Sequence, residues 1–395
     1  MTAQNTPSAG AITVHVFGRT DVGRTREHNE DAFVVADLTT GNATLQPQVR
    51  THPLGDRGTL FMVADGMGGA AAGEIASALA TEVVLEELDA RWRKASTAGA
   101  DNFVIALKAA TEAANARIHR YATEHPENRG MGTTATIAGL VGDTLYVAQV
   151  GDSRAYLVRN GVAIQITKDQ SLMQKLVEAG ELTAEEAEVS ERRNIILQAL
   201  GPEPTVKVDL TQQQVRRGDV LVLCSDGLSG QMRAADIATV VTEEPDLVAV
   251  CKRLIDIANE NGGPDNITVI AARFEGDALQ PAADDESVGH RAYTSESDSR
   301  ATVRVSVADV PALAGERDGG PLGAVSDAAT PDQSLVTTAE TAASAVPAAP
   351  ALATAAAPVK RTRAGMQRVS VGTLRIIFGA IAIGIAAWLL YYFRR

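Results

Sequence analysis

Cysteine is nearly absent from this chain. Cys224 and Cys251 are the only two in 395 residues, and no Cys-x-x-Cys spacing occurs. That excludes a disulfide framework and a cysteine-rich zinc site. Cys224 lies in an apolar run and reads as a small core residue. An excess of positive charge is also missing. The net charge is −13, which excludes a general nucleic-acid binder, because such a protein presents a basic face. The opening residues MTAQNTPSAG are polar, with no basic start and no apolar centre, so they do not read as a secretory signal. No internal repeat of solenoid length is visible.

What is present falls into four stretches. Residues 11–275 read as one compact domain. Apolar runs at 12–18, 32–37, 59–64, 133–140, 144–150, 154–159, 205–210, 219–224 and 267–274 predict strands. Apolar residues at helical spacing predict helices over 73–88, 101–121 and 246–260. Strand groups with helices gathered between them indicate α+β layers rather than a repeating βαβ unit. Residues 38–58 read as a surface hairpin or loop. Residues 167–198 are charged and weakly amphipathic, and read as short helices forming a flap.

From 276 to 359 the composition shifts to Ala, Pro, Asp, Ser, Thr and Val. This predicts a disordered linker, since few large apolar side chains are available to offset chain ordering. Its ends would lie on the order of 50 Å apart. Residues 360–375 are a basic segment, and 376–393 carry no charge. As a helix, that uncharged run would be roughly 27 Å long, close to a hydrocarbon core of about 30 Å. It predicts one transmembrane helix. Lys360, Arg361, Arg363, Arg368 and Arg375 precede it, and only Arg394 and Arg395 follow. By the positive-inside rule this predicts a single-pass protein with its folded domain on the cytoplasmic side.

The chemistry concentrates in acidic turns. TLFMVADGMGG (59–69) and DVLVLCSDGLSG (219–230) are both buried-strand patterns that stop at Asp-Gly. GGPDN (262–266) precedes another strand-like run, and Glu30-Asp31 opens one. A lone Asp-Gly is usually a turn. Several carboxylates at the ends of adjacent strands are a different matter, because they repel unless cations sit between them. All-oxygen ligation suits Mg²⁺ or Mn²⁺, so the set predicts a hard-metal site with more than one ion. Arg24 and Arg26 stand just before the first pair. A guanidinium beside such a site is a natural phosphate clamp, because its fork matches phosphate oxygens.

These stretches resemble the metal-dependent protein phosphatase 2C family in its bacterial serine/threonine form. The matching segments are DVGRTREHNEDAF (21–33), LFMVADGMGGAAAGEIAS (60–77), MGTTATIA (131–138), LYVAQVGDSRAYLVRNG (145–161), LVLCSDGLSG (221–230) and NGGPDNITVI (261–270), in the family's order. The resemblance implies a four-layer α-β-β-α sandwich of two antiparallel sheets. It implies a binuclear Mn²⁺/Mg²⁺ centre at which a metal-activated water hydrolyses phosphoserine or phosphothreonine.

Residue by residue, Asp65 matches the carboxylate that bridges both ions, and Gly66 the backbone carbonyl ligand. Asp226 and Asp265 match ligands of the second ion. Glu30 and Asp31 match acidic residues that hold metals or their waters. Asp152 matches a ligand of a weaker third ion, shared with Asp226. Arg26 matches the phosphate-binding arginine. In a purely structural role, Asp152 would be a turn residue bonded to Arg154.

Two positions depart from the family pattern. Met67 stands where animal members carry a histidine thought to protonate the leaving group, which leaves a metal-bound water as the expected proton source. Gln170 stands where bacterial relatives often have histidine, and it cannot act as an acid near neutral pH. The resemblance makes membrane Ser/Thr protein kinases and their substrates the expected partners. It leaves two alternatives: a phosphatase dedicated to an anti-sigma-factor antagonist, and a catalytically weak scaffold that binds phosphoproteins.

Overall fold

The computed structural model describes residues 11–294, apart from 45–46, 69–71, 189, 191, 284–285 and 287. The expected linker beyond 294, the basic segment and the transmembrane helix lie outside the described residues. Among the described residues, no helix is long and apolar enough to cross a membrane.

The chain runs β1 (Thr13–Asp21), β2 (Asp31–Asp37), α1 (Pro47–Arg50), β3 (Thr51–Pro53), β4 (Thr59–Met67), α2 (Ala72–Leu88), α3 (Ala100–Glu124), β5 (Gly132–Thr133), β6 (Ala135–Val141), β7 (Thr144–Val150), β8 (Arg154–Arg159) and β9 (Val162–Gln165). It continues through α4 (Leu172–Glu178), α5 (Ala184–Glu188), β10 (Asp209–Gln214), β11 (Val220–Cys224), α6 (Asp226–Ser229), α7 (Ala234–Glu243), α8 (Leu247–Glu260) and β12 (Ile267–Glu275). One sheet has the order β3-β1-β12-β11-β8-β9. The other has β10-β7-β6-β4-β2, with β5 paired to β4. All named strands pair antiparallel.

Three apolar clusters separate the layers. Between the sheets lie Phe61, Val63, Val147, Leu157, Leu223 and Phe274. Outside the β4-containing sheet, Leu60, Met62 and Ile137 meet Val84, Phe103 and Leu107 of α2 and α3. Outside the other sheet, Val222, Cys224 and Val269 meet Ile237, Val241 and Leu254 of α7 and α8. β4 explains why the central strands read as unbroken apolar runs. Its odd residues face the other sheet and its even residues face helices, so both faces are covered. Each such fully buried side chain is worth roughly 1.5–3 kcal/mol. The Cys224 thiol is buried and its pKa is pushed up to about 12, which fits an inert core residue.

The structure departs from the sequence expectation in several places. The strand expected at 205–210 lies at Asp209–Gln214. Its buried positions are Thr211 and Gln213, so the alternation is polar and gave no apolar signal. α7 and β9 were not anticipated. The 38–58 segment contains β3 and the short α1 as well as loop.

The largest difference is at the domain boundary, because the ordered chain continues past 275. Leu279 is 1% exposed in the inter-sheet core. Gln212 N donates to Arg291 O, and Tyr293 N donates to Leu210 O. The Tyr293 ring sits edge-on to Tyr146, and its hydroxyl donates to Asp101. Residues 289–293 therefore form a strap along β10, and Leu279 anchors the stretch that leads to it in the inter-sheet core, with single anchors in place of an apolar run.

Candidate active site

Antiparallel topology gathers the acidic turns at one end of the sandwich. β2 and β12 begin there, and β4, β7 and β11 end there. Asp31 and Asp65 are direct cross-strand partners. Like charges so placed are destabilising unless something offsets them. Asp152 follows β7, Asp226 opens α6 directly after β11, and Asp265 precedes β12.

The backbone around these residues is tightly held. The Asp65 N–H donates to Thr134 Oγ1 at 3.0 Å, and its carbonyl accepts from Thr134 N at 2.8 Å and from the Thr133 hydroxyl at 2.9 Å. A Cβ on Gly66 would fall 2.3 Å from Gly73 O and 2.5 Å from Glu30 O, so only glycine fits this close approach. Asn266 staples the arginine-bearing loop to β12. Its Nδ2 donates to Val22 O and His28 O, and its Oδ1 accepts from Glu30 N. Ser225 Oγ donates to Asp31 Oδ2 at 2.8 Å and accepts from Thr268 N.

The carboxyl groups are strained electrostatically. Burial, then Asp226 and Asp265, pushes Asp31 up to about 7. Burial, then Asp226 and Asp169, pushes Asp152 up to about 7. Asp65 is held well above the usual range by burial and then by Asp31, Asp226, Asp152 and Asp265. Asp226 is raised by burial and then by Asp265. Glu30 is raised chiefly by burial.

Three buried oxygens at this end, Asp31 Oδ1, Asp152 Oδ1 and Asp226 Oδ1, have no hydrogen-bond partner. Buried acceptors of this kind are costly to leave unmade. An all-oxygen donor set with orphaned anionic atoms is what a hard divalent cation requires, so the residues fit Mn²⁺ or Mg²⁺. Among the described residues, no three His, Cys, Asp or Glu side chains are closed round one point as a ready ligand set. Asp265, one of the expected ligands, has both oxygens engaged, Oδ2 by Arg26 Nη2 and Oδ1 by Asn266 N, each at 2.8 Å.

A cleft of ≈580 Å³ opens over the site. Arg26, Asp152, Asp226 and Asp265 form its floor side, and Ser171, Met173, Val177 and Arg193 of the 167–198 segment form one wall. The short helices expected in that segment are α4 and α5. Arg154 does not bond Asp152. It binds Asp169 through Nε at 2.9 Å and Nη2 at 2.7 Å, and donates to the Tyr156 hydroxyl, so the bond to Arg154 expected of a structural Asp152 is not made.

The family pattern for protein phosphatase 2C matches residues 37–200. The serine/threonine phosphatase Stp of Listeria innocua is 36% identical over 258 residues, which is 65% of this chain and 94% of the relative. The chain belongs to the protein phosphatase 2C family. It is a protein phosphatase of that type. The serine/threonine protein phosphatase PstP of Mycobacterium tuberculosis is 37% identical over 262 residues, 66% of this chain and 45% of that protein. The crystal structure of the PstP catalytic domain in complex with two manganese ions superposes with a TM-score of 0.55 at 36% identity, covering 67% of this chain and 99% of the other. The S. agalactiae serine/threonine phosphatase structure gives 0.57 at 35% identity, covering 66% and 99%.

The residues singled out in the sequence, Glu30, Asp31, Asp65, Gly66, Asp152, Asp226, Asp265 and Arg26, lie together at this end, whereas Asp169 and Asp236, which also line the cleft, were not among them. Sequence reasoning also missed Asn266, Ser225 and Thr134, which hold the singled-out groups in place. Asn266 sits inside the quoted GGPDN turn, and a buried Asn beside an Asp in a tight turn was the available signal.

Proposed function

We propose that this chain is a serine/threonine phosphoprotein phosphatase whose hydrolysis depends on Mn²⁺ or Mg²⁺, held by Asp65, the Gly66 carbonyl, Asp226 and Asp265, with Glu30 and Asp31 adjoining and Asp152 serving a further ion. The observation that carries this is the gathering of Asp31, Asp65, Asp152 and Asp226 at one sandwich end, with three carboxylate oxygens left unpartnered. When bound, the ions supply positive charge that polarises phosphoryl oxygens and activates water for attack.

The protein's own residues do the rest. Arg26 is half exposed to the cleft, with 49% side-chain exposure, so its guanidinium can reach phosphate oxygens and stabilise charge that develops on them. Ser225 and Asn266 fix Asp31 and the Glu30 backbone, so the acidic groups need little reorganisation. Met67 offers no proton, and both cysteines are buried with their thiol pKa values pushed up to about 12, so neither is an activated nucleophile, which suits direct attack by water without a phosphoenzyme.

Membrane anchoring through 376–393, a cytoplasmic catalytic domain and opposition to membrane Ser/Thr kinases complete the proposal. They rest on the uncharged run, its basic flank and the family. The deciding experiment is hydrolysis of phosphoserine and phosphothreonine peptides by the full-length protein with Mn²⁺, with Mg²⁺ and with excess chelator. Turnover only with metal supports the reading. Full turnover in chelator, or metal uptake without hydrolysis as a scaffold would show, overturns it.

A further inference from the structure

The residue that departs from the bacterial pattern, Gln170, sits where the flap joins the acidic end. Its main chain and side chain bracket one glycine. Gln170 N donates to Gly151 O at 2.9 Å, and Gly151 N donates to Gln170 Oε1 at 3.0 Å. Gly151 has φ +98° and lies so close to Thr134 that a Cβ would stand 2.7 Å from its Cγ2. The turn's shape is therefore set by its neighbours, and Asp152 is the next residue.

On its other side Gln170 holds the far root of the flap. Leu197 N donates to Gln170 O at 2.8 Å, and Gln198 Nε2 donates to Gln170 Oε1 at 2.9 Å. Gln198 in turn grips Lys207, donating to its carbonyl at 2.7 Å and accepting from its N–H at 2.9 Å. The flap thus enters at 170 and leaves at 197–198 through the same residue, with the main-chain carbonyl of Gln170 holding Leu197 and its side-chain amide holding Gln198. The chain of contacts continues inward, since Ser153 Oγ meets Thr134 Oγ1 at 2.7 Å, and Thr134 Oγ1 accepts from Asp65 N.

We infer that Gln170 is a positioning residue that couples the flap to Asp152: it makes the flap root and the Gly151–Asp152 turn one hydrogen-bonded unit, so that a displaced flap moves this carboxylate away from the acidic cluster. An amide suits the task because it accepts from Gly151 N–H and from Gln198 at any pH. The inference rests on the proposed metal-holding role of Asp152 for its consequence, but not for the latch itself.

The test uses the full-length protein and two readouts besides turnover. Hydrogen exchange by mass spectrometry follows peptides covering 150–152 and 196–198, and calorimetry follows uptake of Mn²⁺ alone. Gln170→Leu is expected to raise exchange in both peptides together and to weaken the last Mn²⁺ to bind about tenfold, the size of one to two lost hydrogen bonds. Gln170→His keeps a ring acceptor for Gly151 and is expected to restore both.

Faster exchange at 196–198 with 150–152 and the Mn²⁺ isotherm unchanged would make Gln170 a flap peg only and overturn the coupling, as would a His variant that behaves like Leu. If Gln170→Leu melts below assay temperature, Gln198→Leu replaces it. The expectation is then faster exchange at both peptides, and a change confined to 196–198 overturns the inference. If the unaltered protein takes up no Mn²⁺, the proposed function fails, and the exchange data alone decide the latch.

Discussion

The two ends of β11 carry the same residue type in opposite circumstances. At its start, Asp219 is 1% exposed and fully satisfied. Arg159 donates to it through Nε at 2.9 Å and Nη2 at 2.6 Å, and Arg216 N donates at 2.7 Å. Glu286, just before the strap, closes the group by pairing with both arginines. Just past its other end, Asp226 leaves one oxygen unpartnered, beside Asp31 and Asp152 that do the same. One strand thus joins an end where charge is neutralised within the protein to an end where negative charge accumulates. Burial alone does not separate structure from function here, because both ends are buried. Whether the chain supplies partners for the carboxylate oxygens does.

The contrast breaks most sharply at Asp65. Asp65→Asn is expected to lower phosphopeptide turnover by about a thousand-fold, since an ion's charge stabilisation is worth several kcal/mol. The metal-free protein should melt no lower, because one of several repelling carboxylates has gone. A melting temperature that collapses along with activity would move Asp65 to the structural side. At the satisfied end, Arg159→Met should cost about 3–5 kcal/mol in urea unfolding by stranding Asp219. Turnover per folded molecule should hold when assayed well below the new midpoint.

Arg26→Ala tests the middle ground. Loss of a charged contact to phosphate is worth roughly 1.5–3 kcal/mol, or about ten- to a hundred-fold in kcat/KM. Calorimetric Mn²⁺ uptake should persist. An unchanged phosphopeptide kcat/KM would pass the clamp role to another group.

The smallest effect is one of pH. Asp31 and Asp152 have folded-state values raised to about 7. The folded protein therefore binds more protons than the unfolded one between the ordinary aspartate range and about 7, and metal-free stability falls as pH rises through that window. Thermal melts of the metal-free protein should decline from about pH 5 to pH 7.5, and Mn²⁺ should flatten or reverse the slope. A metal-free stability that rises through this window would mean that the acidic cluster has partners of its own.

Much of this was legible before the structure, and the reasons are local. β4 and β11 announce themselves because large apolar residues face a covered layer on both sides, and each stops at Asp-Gly. The site was legible because its carboxylates lie in such turns. What was hidden depends on pairs distant in sequence. Asn266 acts on Val22 and His28, Ser225 on Asp31, and Gln170 on Gly151 and Leu197, and a polar side chain carries no mark of a partner far along the chain. β10 was misplaced because its inward positions are Thr and Gln. The strap and the stretch that leads to it were missed because Leu279 and Tyr293 stand alone among small and charged residues.

That strap has a bearing on how molecules of this phosphatase tolerate one another. An outermost strand with free amides invites a second chain to add to the sheet. Here the backbone groups of Leu210 and Gln212 are already taken by Tyr293 and Arg291 of the same chain, and Ala292 lies opposite Thr211. The tail acts as a selvedge along this border. A neighbouring molecule that meets this border finds it already closed and cannot be stitched on along it.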